Sequence, residues 1–326
     1  MAFLKESNPI LMPFSKAVKI EKLDSQTYRA NLSESYLIGL VPNGGYVGSC
    51  LLRAAMDHLA PRGQPHPMTA HFEYFTRTEA GPAIIVIEDV KSGRQFSTLH
   101  LTLYQSALLP HAPWISPGAS RREVAAYITM NNLPAETGLS LPTGWALPHP
   151  PPATPDFAAL RADSDPSWTA FRHMAGSPIA HLVCLKNLQY FVPRRGHPQL
   201  GVFDLWIRMA SGEGFTTEAL GFVADCLPYP VEAYRPAAGE EGGPFAHGDV
   251  FWYPTVVMNV EVKRALPEAG VEWLRMRIQP KVIQGGRFDL EVVIFDEAGR
   301  VVALSQHVNL IVGLERNTAK RGGSHI

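Results

Sequence analysis

The chain has 326 residues, 46% of them hydrophobic and 18% charged, with a formal net charge of −1. That length exceeds one ordinary core, so two modules or a duplicated one are expected, and the near-neutral charge gives no electrostatic reason for a nucleic-acid or anionic-membrane partner. Three scattered cysteines (Cys50, Cys184, Cys226) argue against a disulfide framework or a structural zinc site and fit a reducing compartment.

The N-terminal run MAFLKESNPILMPFSKAV carries an acidic residue and two prolines where a signal peptide needs an uninterrupted apolar core. No run approaches the roughly 18 apolar residues of a membrane span. A cytoplasmic protein is expected. The final residues, Ser324-His325-Ile326, do not match a Ser-Lys-Leu address, and a peroxisomal location stays open.

Short strands are predicted at 28–32 and 35–40. In YVGSCLLRAAMDHLAP, Val47, Leu51, Ala54, Ala55 and His58 follow helical spacing, and Pro61 closes the run. Strands follow at 69–75, 84–91, 96–105 and 123–129. The stretch 133–157 is rich in proline, with Pro148, Pro150, Pro151 and Pro152 enforcing extended backbone. It reads as the start of a linker with Trp145 and Phe157 as apolar anchors. Strands at 182–192 and 203–209, a polar turn at 211–214 and a helix from Thr216 to about Leu227 come next. Thr216 or Thr217 is the expected N-cap, and Pro228 and Pro230 end the helix. Strands at 255–263, 273–282, 288–295 and 301–312 complete the order, and a polar, Gly-rich tail is expected to be disordered. One helix followed by several antiparallel-looking strands, twice, is an α+β pattern. The expected division is a first module 1–132, a linker 133–180, a second module 181–315 and a tail 316–326.

The two modules echo each other. Glu79-Ala80-Gly81, a strand and Gly93-Arg94 recur in the second half as Glu268-Ala269-Gly270, a strand and Gly286-Arg287. A duplication of this size suggests two pseudo-equivalent halves with a site at their seam.

The motifs NGGYVGSCLLRAA, YFTR, EAGP and SGRQFSTLHLTLYQ, then ALGFVADCLP, WYPTVVMNVEVKR and GRVVALSQHVNLIV, occur in that order. This arrangement resembles the double-hotdog acyl-CoA thioesterases of type II and the thioesterase-like superfamily around them, over roughly residues 30 to 313. The resemblance implies two helices, each wrapped by an antiparallel sheet, packed as a pseudo-dimer. It also implies hydrolysis of an acyl thioester without metal or organic cofactor. The family's catalytic carboxylate matches Asp225 and its threonine matches Thr255. Its glutamine, four residues after an alanine, falls on His307 when counted from Ala303, with Gln306 one residue earlier. Neighbouring strand residues face opposite ways, so only one of the two reaches the site.

Thioester hydrolysis needs a water aimed at the carbonyl carbon, an acceptor for its proton and donors for the oxyanion. Asp225 is the candidate base, with Thr255 and His307 or Gln306 fixing the water. The helix start at Asn43, Gly44, Gly45 and Tyr46 is the candidate oxyanion and substrate-binding turn, because N–H groups there are free and dipole-favoured. Each residue also has a plain reading: a surface carboxylate, a strand threonine, a turn into a helix. Cys226 reads as a small buried thiol. The histidines His58, His66, His71 and His100 show no metal-ligand spacing. A hotdog hydratase would need Asp-x-Asn-Pro-x-His, and leucine and proline replace its asparagine and histidine after Asp225. A non-hydrolytic biosynthetic hotdog enzyme, closing or isomerising a polyketide or terpenoid intermediate, is the alternative; a silent binding module is a further one. The expected partner is thus a small acyl thioester or hydrophobic metabolite, and pairing through exposed strand edges to a homodimer is expected.

Overall fold

A computed structural model describes residues 11–171, 182–227, 229–237, 239–240 and 242–319. The expected helix stop at Pro228 lies outside the described residues, as do most of the N-terminal run and the tail from 320 onward. In chain order the elements are α1 (Phe14–Ala17), β1 (Ile20–Lys22), β2 (Thr27–Leu32), β3 (Leu37–Ile38), β4 (Val41–Pro42), α2 (Gly44–Leu59), β5 (His66–Tyr74), β6 (Gly81–Lys91), β7 (Ser97–Gln105) and β8 (Arg121–Asn131). Then come α3 (Phe157–Arg161), β9 (Trp168–Ala170), β10 (Leu188–Pro193), β11 (Phe203–Met209), α4 (Ala219–Ala224), β12 (Phe251–Trp252), β13 (Thr255–Val262) and β14 (Leu274–Gln279). The chain closes with β15 (Ile283–Gln284), β16 (Arg287–Phe295), β17 (Val301–Leu310), β18 (Val312–Gly313) and α5 (Glu315–Thr318).

One sheet dominates, in the order β1-β2-β6-β7-β8-β5-β13-β17-β16-β14-β11-β10-β9, with β15 attached to β16. Its seam is the antiparallel pair β5–β13, where Phe72 faces Met258 and His71 faces Asn259. Counted outward from that seam, β6 and β14 hold the same place on either side. The repeated Glu-Ala-Gly motifs precede these two strands, so the sequence echo is a structural one. The class is α+β, as expected.

Helix α2 lies in the concavity of the sheet, and its face of Val47, Leu51, Ala54 and Ala55 is fully buried. Asn43 caps it, its side-chain oxygen accepting from the Tyr46 N–H at 2.8 Å. Helix α4 crosses against α2 at close range. A Cβ on Gly45 would stand 2.3 Å from the Gly221 carbonyl oxygen, and one on Gly221 would stand 2.8 Å from Ser49 Oγ. Only glycines permit this approach. Ser49 Oγ accepts from the Phe222 N–H at 2.8 Å, which ties the two helices across the seam.

Five expectations need correction. Helix α4 spans only Ala219–Ala224 rather than Thr216 to Leu227. Thr217 does not cap it, because its hydroxyl instead accepts from the Leu266 N–H at 2.9 Å, and Asp225 is the residue that leaves the helix. The strands expected at 35–40 and 182–192 each begin with a 3-10 turn, Glu34–Tyr36 and Val183–Asn187. The expected linker carries structure of its own, with β9 paired to β10, while its expected anchors do pack, Phe157 on Trp206 and Trp273 and Trp145 on Phe295. The buried Arg277, bidentate to Asp204 at 2.8 Å, donates to the His149 carbonyl and so pins the proline-rich stretch. Finally, the tail from residue 316 is ordered through α5, where buried Asn317 receives the Leu40 N–H and donates to the Ile38 carbonyl. Among the described residues no helix is long and apolar enough to cross a membrane.

The glycine crossing can be tested directly. Gly45→Ala should destabilise the fold by about 1–3 kcal/mol, the usual cost of forcing atoms into a closed contact, read as a lower midpoint in urea unfolding with unchanged slope.

Candidate active site at the helix crossing

Asp225 is 2% exposed and stands where α4 ends. Its carboxylate turns towards the N-terminus of α2. Oδ2 accepts from the Gly45 N–H at 2.8 Å and from Asn43 Nδ2 at 3.1 Å, and Asn43 Nδ2 also donates to the Asp225 carbonyl at 3.0 Å. Oδ1 accepts from the Thr255 hydroxyl at 3.0 Å. A negative group at the start of a four-turn helix also meets that helix's positive end. The second half thus supplies the carboxylate and the first half most of its donors.

Thr255, at the start of β13, is oriented from the other side. Its oxygen accepts from Asn309 Nδ2 at 2.9 Å, which fixes the amide of Asn309 and leaves Asn309 Oδ1 buried without a donor. His307 lies beside it on the same face of β17, with Nδ1 3.6 Å from Asp225 Oδ1. Its other nitrogen, Nε2, is 2.9 Å from Ser305 Oγ, and Ser305 gives its own proton to the Asn259 carbonyl at 2.5 Å. Ser305 is therefore an acceptor for Nε2–H, and the tautomer with its proton there presents the lone pair of Nδ1 to the site. Nδ1 is also buried without a partner. Asp225 Oδ1 and His307 Nδ1 face each other, Asn309 is tied to the same cluster through Thr255, and His307 Nδ1 and Asn309 Oδ1 are buried acceptors with no donor among the described residues. That is the requirement of a water or a hydroxyl group, which brings the missing protons.

The predicted residues divide accordingly. Asp225, Thr255, His307, Asn43, Gly44 and Gly45 are brought together. Gln306 is not: it is exposed on the opposite side of β17, where it lines an outer concavity of about 940 Å³ with His71, Tyr127 and Trp145. Tyr46 is not either. Its ring stacks on Tyr36 at 4.4 Å, deep in the first half, and its hydroxyl donates to the Ala17 carbonyl. The expectation that the turn's N–H groups are free also needs correction, because those of Gly45, Tyr46 and Val47 are engaged. Gly44 N–H is the exception among the described residues. The Gly44 carbonyl accepts from Tyr74 at 2.8 Å, and a Cβ there would press on Asp225 Oδ2 at 3.1 Å.

Sequence reasoning missed Asn309, Ser305 and Tyr74. A signal for the first two exists: Ser305, His307 and Asn309 alternate as polar residues on the buried face of a strand. Cys226 is buried beside Asp225, its thiol pushed far up by desolvation, and lies against the Met276 sulfur at 3.8 Å. Such a thiol is no nucleophile. Among the described residues no group of three His, Cys, Asp or Glu converges on a metal position.

Two domain families match this chain: the acyl-CoA thioesterase N-terminal domain over residues 32–130 and the acyl-CoA thioesterase C-terminal domain over residues 146–311. A curated relative, the thioesterase-like protein TwmA of Talaromyces wortmannii, is 48% identical over 332 residues, which cover 95% of each chain. Solved structures with the same fold include a conserved hot dog fold protein of unknown function from Alicyclobacillus acidocaldarius (TM-score 0.69, 17% identity, 92% of this chain and 98% of that one). Another is the acyl-CoA thioesterase II TesB2 of Mycobacterium marinum (TM-score 0.60, 16% identity, 92% and 98%).

Asn43 both caps α2 and binds Asp225. Asn43→Ala should therefore lower stability by about 1–2 kcal/mol, the usual range for a lost N-cap. Asn43→Ser should recover the cap but not the bonds to residue 225, a split that unfolding curves and turnover measured together will resolve.

Proposed function

The chain belongs to the acyl-CoA thioesterase family, and from that premise we propose that it hydrolyses an acyl thioester with a water held between Asp225, His307 and Asn309. The observation that carries the reading is the pair of buried, unpaired acceptors on His307 and Asn309, in one cluster with a carboxylate already oriented by Thr255, Asn43 and Gly45. A water placed there donates to His307 Nδ1 or Asp225 Oδ1 and turns a lone pair to the thioester carbon. As the C–O bond forms, its proton passes to that acceptor and the carbonyl oxygen takes up negative charge. The Gly44 N–H, at the positive end of α2, is the donor for this oxyanion. Collapse of the tetrahedral intermediate breaks the C–S bond and expels the thiolate, which takes the proton back. Acid and free thiol leave.

His307 at the place where the resemblance expects glutamine favours one further reading. An imidazole with a free lone pair can take a proton from carbon as well as from water, so a non-hydrolytic isomerisation or cyclisation in the same site is the competing chemistry.

Thiol release from a panel of short, medium, long and aromatic acyl-CoAs tests the proposal. Asp225→Asn should keep the circular dichroism of the wild type and lose at least about two orders of magnitude in rate, the scale for a positioned base. His307→Gln should retain most activity, while His307→Leu should lose it. Undiminished turnover by Asp225→Asn would sink the mechanism. No release from any acyl-CoA by folded wild type would move the assignment to the non-hydrolytic chemistry.

A further inference from the structure

Tyr229 is 6% exposed, and its hydroxyl has no hydrogen-bond partner among the described residues. It stands apart in this. Tyr36 donates to the Met12 carbonyl, Tyr46 to Ala17, Tyr190 to Cys226, and Tyr253 to the Glu232 carboxylate, while Tyr28 pairs with His58. A buried hydroxyl left unpaired is costly unless something else supplies its partner. Trp206 and Trp273 also carry unpaired indole N–H groups, but they pack inside the outer aromatic cluster.

Tyr229 instead stands between two cavities. One, of about 90 Å³, is lined by Val192, Phe203, Leu205, Leu227 and His197, whose Nδ1 already accepts from the Asp204 N–H. The other, of about 40 Å³, is lined by Ile38, Leu182, Trp252 and Tyr253. The second shares Phe251 with a groove of about 760 Å³ walled by Leu200, Tyr234, Phe245, Ile283 and Ile311, with Gln199, Gln279 and Lys281 as its polar lining. Tyr229 follows Asp225 by four residues, and the carboxylate is close enough to reinforce the effect of burial on the phenol, which holds its proton well above the ordinary range. Like any protonated phenol, the hydroxyl has a proton to donate, and among the described residues nothing takes it. The charged residue shared by both cavities, Glu232, is already taken by Arg235 and Tyr253. The walls are otherwise largely apolar, and with Glu232 neutralised the cavities offer a neutral hydrogen bond rather than a counter-charge.

We propose that Tyr229 is a specificity-determining residue that donates a hydrogen bond to a neutral oxygen, a hydroxyl or keto group, carried on the acyl chain of the substrate. The chain occupies the cavities around Tyr229 and the groove beyond Phe251, and the preferred substrate is an oxygenated acyl thioester rather than a plain saturated one. This rests on the hydrolase reading for the position of the thioester, and it is tested without hydrolysis.

Calorimetric titration with non-hydrolysable tetradecyl thioethers of CoA, bearing either no hydroxyl or one hydroxyl at successive carbons, reads the proposal. Wild type should bind one positional isomer about tenfold more tightly than the unsubstituted chain, the scale of one buried hydrogen bond. Tyr229→Phe should lose that gain and bind the unsubstituted chain as wild type does. Removing an unpaired hydroxyl leaves the fold intact, so the ligand-free variant should melt at or above the wild-type temperature. Absence of a gain at every position, absence of binding altogether, or a gain that survives in Tyr229→Phe overturns the proposal. A protein that releases no thiol yet shows the Tyr229-dependent gain retains this inference and loses only the hydrolase reading.

Discussion

The carboxylate of Asp225 holds the two halves of this protein in register. It belongs to the second half, yet two of the three donors on its oxygens, Gly45 N–H and Asn43 Nδ2, come from the helix start of the first half. A buried carboxylate is expensive unless its lone pairs are satisfied, so the end of α4 and the beginning of α2 cannot separate without exposing that cost. The backbone leaves α4 at Asp225, and from that position the side chain reaches sideways to α2.

That geometry depends on the missing side chains of Gly45 and Gly221. With a Cβ at either, the helix axes would stand farther apart and the Gly45 N–H would no longer reach Asp225. Ser49 adds a fixed contact one turn further along. The crossing is at once a packing device and the scaffold that orients the carboxylate.

The sheet contributes through its two faces. Strand β17 turns Ser305, His307 and Asn309 inward and Gln306 outward. The inward residues form a relay in which Ser305 fixes the imidazole tautomer and Asn309 fixes the hydroxyl of Thr255. The outward residue lies in a broad concavity on the far side of the sheet from the carboxylate. A single period-two pattern thus separates the buried polar cluster from the surface.

Much of this was legible in the sequence. The duplicated Glu-Ala-Gly and Gly-Arg motifs marked equivalent strands, helical spacing marked α2 to within two residues at either end, and the resemblance placed Asp225 and Thr255. These features are local in the chain, and periodicity and turn chemistry report local structure. Strand alternation also stated that His307 and Gln306 must part, but which of them faces inward is a matter of register against β13 and β16, pairs formed by residues far apart in the chain. Likewise Thr217, Tyr46 and the tail at Asn317 were misread because their partners at Leu266, Ala17 and Leu40 are distant in sequence or lie behind a neighbouring element. The sequence by itself determined the duplication, the α+β class and the residue types able to handle a water. Only the tertiary structure decided which of those residues share a site, because a hydrogen bond across the seam depends on the approach of two helices that no local pattern encodes.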